Sequence, residues 1–183
     1  MDIVFIRHGE KEKGEGDLGL SKKGIIQAKN LAKRLSKDKF DEIYSSNLNR
    51  AKETAKFVSE KIGLKPIVEE SLNEFESNLL KTKEDDWDDE SRIHYNNLKK
   101  FLSSFTNRAD EDKRILIISH GITNRLILAI MLELELKNLI RFRVLETGIS
   151  EIYWMSKFGN WRLKYWNDVS HQPKELVKGK NKY

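Results

Sequence analysis

Ile3-Val4-Phe5-Ile6-Arg7-His8-Gly9-Glu10 is the stretch that decides the fold. Four consecutive apolar residues, three of them β-branched, predict a strand buried on both faces. The polar Arg7-His8-Gly9 that follows marks where the strand leaves the core. In open α/β sheets, ligands sit beyond the carboxyl ends of the strands. Arg7 offers a planar fork of donors suited to phosphate or carboxylate. His8 is a nucleophile or proton carrier that works near neutral pH, and Gly9 lets a ligand approach the backbone closely.

The same pattern returns downstream. Arg114-Ile115-Leu116-Ile117-Ile118-Ser119 is the clearest buried strand of the chain, and it ends in His120-Gly121. If the two strands are parallel neighbours, both histidines stand at one sheet edge. A third block, Ser45-Ser46-Asn47-Leu48-Asn49-Arg50-Ala51, places Arg50 in the first turn of a helix leaving another strand. Helix N-termini favour anions. Two arginines and two histidines gathered there would repel one another unless an anion sits between them.

The remaining segments alternate strand and helix. Ser21 is a plausible N-cap for a helix with Ile25, Ala28, Leu31, Ala32 and Leu35 on one face. Strands are predicted at Phe40 to Ser45 and Lys65 to Glu69. A helix from near Asn47 carries Ala51, Ala55, Val58 and Ile62 inward and closes at Gly63 and Pro66. Another has Leu98, Phe101, Leu102 and Phe105 inward, and Ile122 to Leu132 is an apolar helix. Late strands are predicted at Phe142 to Leu145, Ile149 to Met155 and Trp161 to Trp166, the last two joined by a turn at Lys157 to Asn160. The expected fold is an α/β three-layer α/β/α sandwich with a mainly parallel central sheet.

Bulk properties narrow the function. The 183 residues suit one domain, expected over residues 1–168, with a basic, poorly ordered tail over 169–183. The 34 Lys and Arg against 29 Asp and Glu give a net charge of +5. The lysines alternate with acids along amphipathic segments, as on solvated helix faces, so nucleic acid is not an expected partner. No apolar run is long enough for a membrane span, and no signal region opens the chain. There are no cysteines, which removes disulfides and thiolate chemistry and fits a cytoplasmic protein. Neither a cofactor nor a metal is expected, since the carboxylates and histidines show no ligand spacing.

Taken in order, Arg7-His8-Gly9-Glu10, Asp17-x-x-Leu20-Ser21-x-x-Gly24-x-x-Gln27-Ala28, Ser45-Ser46-x-Leu48-x-Arg50-Ala51-x-x-Thr54-Ala55 and Ser119-His120-Gly121 resemble the histidine phosphatase superfamily, with its phosphoglycerate mutase-like fold. The resemblance implies that His8 attacks phosphorus and becomes a phosphohistidine, while Arg7, Arg50 and His120 hold the phosphoryl oxygens. It also implies a proton donor in an L-x-E pattern after the third strand. Leu72-Asn73-Glu74 matches, so Glu74 is assigned, with Glu76 as rival and Glu69 and Glu70 solvated. The implied activity is a metal-independent phosphomonoesterase acting on a small phosphorylated substrate. Gly14 stands where mutases and many small-phosphoester phosphatases of the family carry Asn, and the chain is shorter than the mutases. A phosphoprotein or phosphohistidine phosphatase, a phosphoglycerate-type mutase, and a non-catalytic pseudo-phosphatase are the alternatives. The oligomeric state is open between monomer and homodimer.

Other conspicuous residues receive lesser readings. His94 and His171 are expected to be solvated, Thr54 structural, and Trp154, Trp161 and Trp166 to pack in the core or at a sheet edge. Trp87 sits among acids, and residues 77–92 are read as an acidic loop or lid in which Trp87 is exposed.

Overall fold

The computed structural model describes residues 1–75 and 86–177. A six-stranded sheet has the order β3-β2-β4-β1-β5-β6. The strands are β1 (Asp2–Arg7), β2 (Glu42–Ser45), β3 (Ile67–Val68), β4 (Arg114–Ser119), β5 (Ile149–Met155) and β6 (Asn160–Asp168). The β1, β2, β3 and β4 strands pair in parallel, while β5 runs against both β1 and β6. The helices are α1 (Lys22–Leu35), α2 (Asn49–Ile62), α3 (Asp89–Thr106), α4 (Gly121–Leu132) and the short α5 (Lys174–Val177). The expected three-layer architecture is the one observed.

The continuous apolar run of β1 is explained by its two buried faces. Ile3 and Phe5 join Ile115 and Ile117 under α3 and α4, packed with Leu98, Leu102, Phe105 and Leu126. Val4 and Ile6 join Leu116 and Ile118 under α1 and α2, packed with Leu31, Ala55 and Val58. The chain moves one way across the sheet from β1 to β2 and β3, then returns to β4. Right-handed crossovers therefore put α1 and α2 on one face and α3 on the other. The return inserts β4 beside β1, with Arg7 paired to Ser119. Connections diverge from these two strand ends, which opens a crevice at the switch point.

Helix ends follow the local chemistry. The Ser21 hydroxyl accepts from Gly24 N at 3.0 Å, and Asp88 caps α3 by accepting from Ser91 N. Gly63 ends α2 in a left-handed conformation, φ 77°. Two glycines serve close approach. A Cβ on Gly9 would lie 2.7 Å from Gly24 O, and one on Gly24 would collide with Glu10 O. The Arg7-His8-Gly9-Glu10 turn thus lies directly on the start of α1.

Several expectations are corrected. Phe142 to Leu145 is not a strand, because side chains take its backbone groups. Arg125 donates to Phe142 O, Trp166 to Arg143 O and Arg7 to Val144 O, while Leu145 N donates to Asn167 Oδ1. Trp87 is buried, not exposed, with its ring edge-on to Tyr95 at 5.1 Å between centroids. Residues 89–92, the end of the expected lid, form the first turn of α3. Residues 76–85, which include Glu76, lie outside the described residues. His94 is half-buried, stacked on Phe75 at 3.7 Å and bonded to Ser71 O. His171 is also half-buried.

The start of the expected tail is docked as far as Leu176. The buried Gln172 side chain donates to Gln27 O at 2.8 Å and to Thr147 Oγ1 at 2.9 Å, and accepts from Asn30. Gln27 in turn donates to Leu176 O and accepts from Glu10 N. Gln172→Ala strands these buried groups, and urea unfolding is expected to show a loss of about 1–3 kcal/mol.

Candidate active site

The crevice at the carboxyl ends of β1 and β4 collects residues from five segments. His8 N donates to Ser119 O at 2.9 Å, continuing the parallel ladder by one residue. This places the His8 and His120 rings 4.9 Å apart, edge to face. Both are buried, His8 at 4% exposure and His120 at 0%.

The proton on His8 can be placed. Nδ1 lies 2.6 Å from Gly9 O, and a carbonyl only accepts, so Nδ1 carries the hydrogen. Nε2 then presents its lone pair, which accepts from Arg50 Nε at 3.1 Å. Burial and the Arg7 guanidinium hold the His8 pKa well below its usual value. The ring is a neutral base at physiological pH. Thr54 sets the spacing of the pair, since its hydroxyl donates to Arg50 O at 2.7 Å and accepts from Gly9 N at 3.1 Å.

Arg50 occupies the second position of α2. Asp17 caps that helix through Asn49 N at 2.9 Å and lies 3.7 Å from Arg50 Nη1. Arg7 donates to Val144 O at 2.8 Å and pairs with Glu146 at 3.0 Å. The repulsion expected from the sequence is therefore partly met within the protein, because a carboxylate stands behind each guanidinium. Arg7 Nε remains buried without a hydrogen-bond partner among the described residues.

Glu74 reaches the site because β4 and α4 hold its loop. Ser119 Oγ donates to Leu72 O and Thr123 Oγ1 to Asn73 O. The Glu74 carboxylate accepts from Ile122 N at 3.0 Å and from Gly121 N at 3.3 Å, at the N-terminus of α4. Burial pushes its pKa above the usual carboxylate range, opposed by the Ile122 N–H and the charges of Arg7 and Arg50. Its Oε2 lies 4.0 Å from His120 Nδ1. Burial, His8 and the arginines likewise keep His120 well below its usual pKa.

The donor atoms of His8, Glu74 and His120 all lie within 4.8 Å of one another, a spacing that a metal ion could bridge. Arg7 and Arg50 act electrostatically on the same groups. Their charge opposes a cation and attracts an anion. A tetrahedral oxyanion fits the chemistry of this donor set better than a metal ion does.

The structure brings together all five residues singled out from sequence, Arg7, His8, Arg50, Glu74 and His120. Sequence reasoning missed Val144 and Glu146, which hold Arg7, and no motif marks either. It quoted Ser46 and Asn73 within blocks without giving them work. Both lie behind His120, with Ser46 Oγ 2.7 Å from its Nε2.

Known proteins similar to this chain point to one family. The family model for the histidine phosphatase superfamily (branch 1) matches residues 3–107 and 95–169. A putative phosphoserine phosphatase 2 of Hydrogenobacter thermophilus is 27% identical over 92% of this chain and 96% of its own. A probable phosphoglycerate mutase GpmB of Proteus mirabilis is 24% identical over 93% and 94%. The crystal structure of a phosphoserine phosphatase mutant from Entamoeba histolytica, in complex with phosphoserine, superposes with a TM-score of 0.75 at 25% identity, covering 93% of this chain and 98% of that one. Among the described residues no helix is long and apolar enough to cross a membrane. With its fold, its paired histidines and a family match spanning most of its length, the chain belongs to the histidine phosphatase superfamily.

Proposed function

We propose that this protein hydrolyses small phosphomonoesters without a metal, through a phosphohistidine on His8. The observation that carries the reading is the protonation pattern of His8. Its hydrogen is held on Nδ1 by Gly9 O, and its Nε2 lone pair faces the cationic crevice.

In the first step His8 Nε2 forms a bond to phosphorus as the bond to the leaving oxygen breaks. Arg7, Arg50 and His120 line the place where the equatorial oxygens lie, and fixed donors there supply most of the stabilisation for phosphoryl transfer. An incoming phosphate draws the Arg50 guanidinium onto its oxygens, which releases Nε2 to attack. The departing alkoxide needs a proton, and Glu74, whose pKa burial raises, supplies it. In the second step Glu74 takes a proton from water, the hydroxide oxygen bonds to phosphorus, and the N–P bond breaks. Inorganic phosphate leaves and Glu74 is again protonated. The relatives named as phosphoserine phosphatases support a small phosphoester as substrate.

Turnover of p-nitrophenyl phosphate is expected to persist in EDTA and to fall by about 10³-fold or more in His8→Ala. Acid-labile phosphate trapped on the wild type and absent from His8→Ala identifies the nucleophile. Activity that survives His8→Ala overturns the proposal.

Glu74→Gln is expected to slow hydrolysis of phosphoserine by about 10²-fold or more, the usual size of general acid catalysis, and to affect p-nitrophenyl phosphate much less. Equal losses on both substrates would remove Glu74 from the role of proton donor.

The neutral histidines also set the acid stability. His8, His94 and His120 all have lowered pKa values, and burial pushes His171 down to about 4. As pH falls below the unfolded value of about 6.5, the unfolded chain binds protons that the native state refuses. Stability is therefore expected to drop between pH 6.5 and 4, and the urea midpoint in phosphate-free buffer to fall across that window. A midpoint that stays flat, or rises, contradicts the buried neutral state of these rings.

A further inference from the structure

His120 has one ring nitrogen aimed away from the crevice, and the hydrogen bonds there can be assigned without ambiguity. Asn47 N donates to Asn73 Oδ1 at 3.0 Å, which identifies that atom as the oxygen. Ser46 Oγ lies 2.8 Å from the same oxygen and so must donate its single hydrogen to it. Leu48 N donates to Ser46 Oγ at 3.1 Å. The hydroxyl then has one lone pair left, and the remaining neighbour is His120 Nε2 at 2.7 Å. That nitrogen has to be a donor. His120 Nδ1, buried and without a hydrogen-bond partner among the described residues, is left to face Glu74 and the His8 ring.

We propose that Ser46, its hydrogen committed to Asn73, is a positioning residue that holds His120 as the Nε2–H tautomer, so that Nδ1 alone meets the phosphoryl oxygen. When a phosphoryl group enters with its proton, Nδ1 accepts that proton and donates a hydrogen bond back to the oxygen. No other proton is needed. Asn73 adjoins Glu74, so one side chain sets the tautomer of His120 while its neighbour carries the acid. The serine of the Ser45-Ser46 pair that matters is the second, at the strand end, where β2 extends by Ser46 N donating to Ile118 O.

The proposal rests on His120 as a phosphoryl-binding group, and two separate readouts keep the two ideas apart. With four histidines in the chain, two-bond proton–nitrogen correlation spectra of ¹⁵N-labelled protein resolve each tautomer, and His120→Asn assigns the signal. In the wild type at mildly alkaline pH, neutral His120 is expected to give the Nε2–H pattern. An Nδ1–H pattern overturns the proposal whatever the variants do. Asn73→Ala keeps the Ser46 hydroxyl but frees its hydrogen, and Ser46→Ala removes the hydroxyl; both are expected to give a tautomer mixture.

On p-nitrophenyl phosphate each variant should lose about tenfold in kcat/KM, the worth of one hydrogen bond, and less than His120→Asn loses. If His120→Asn is fully active, the phosphoryl role of His120 fails. If His120→Asn is inactive while both other variants keep a pure Nε2–H signal and full activity, the role assigned to Ser46 fails.

Discussion

The site depends on one constraint, the parallel pairing of β1 with β4 in a register that sets Arg7 beside Ser119. Each strand ends in a histidine one residue later, so the ladder itself delivers two imidazoles to adjacent positions. A shift of one residue would turn each side chain to the opposite face of the sheet. That register is held by the core on both faces, where Ile3 and Phe5 pack on one side and Val4 and Ile6 on the other. Site geometry and core packing are thus properties of the same few residues.

The crevice concentrates cationic groups yet keeps its imidazoles neutral. Burial opposes a proton on either ring, and the guanidiniums of Arg7 and Arg50 oppose it further. The same two arginines and the α4 N-terminus work against the burial that raises the pKa of Glu74. The outcome is a neutral imidazole next to a carboxyl group with a raised pKa, two titratable groups whose environments push them apart as the proposed roles require. Asp17 and Glu146 moderate the positive charge from outside, where they also hold the arginines in place.

Support for the turn that carries His8 comes from distant parts of the chain. Thr147, with φ 57°, donates through its backbone to Arg7 O, and its buried hydroxyl receives Gln172. Gln27 links Glu10 on one side with Leu176 on the other. The segment after β6 therefore braces the turn that carries His8. Gly9 and Gly24 allow that turn to press against α1.

Local chemistry made much of this legible in the sequence. Apolar runs ending in Arg7-His8-Gly9 and Ser119-His120-Gly121 mark two strand ends, and Arg50 falls at a helix start, because strands and helices announce themselves over a few residues. Trp87 misled for the complementary reason. Acidic neighbours in sequence suggest exposure, but its ring is buried against Tyr95 from the following helix. Phe142 to Leu145 carries strand-like residues, yet side chains from elsewhere claim its backbone. Only the tertiary structure decided that Arg7 leans on Glu146 and Val144, 137 residues away in the case of Val144, and that Ser46 has a single lone pair left for His120. Such pairings join segments far apart along the chain. Their partners depend on where the folded sheet puts them, which no local pattern encodes.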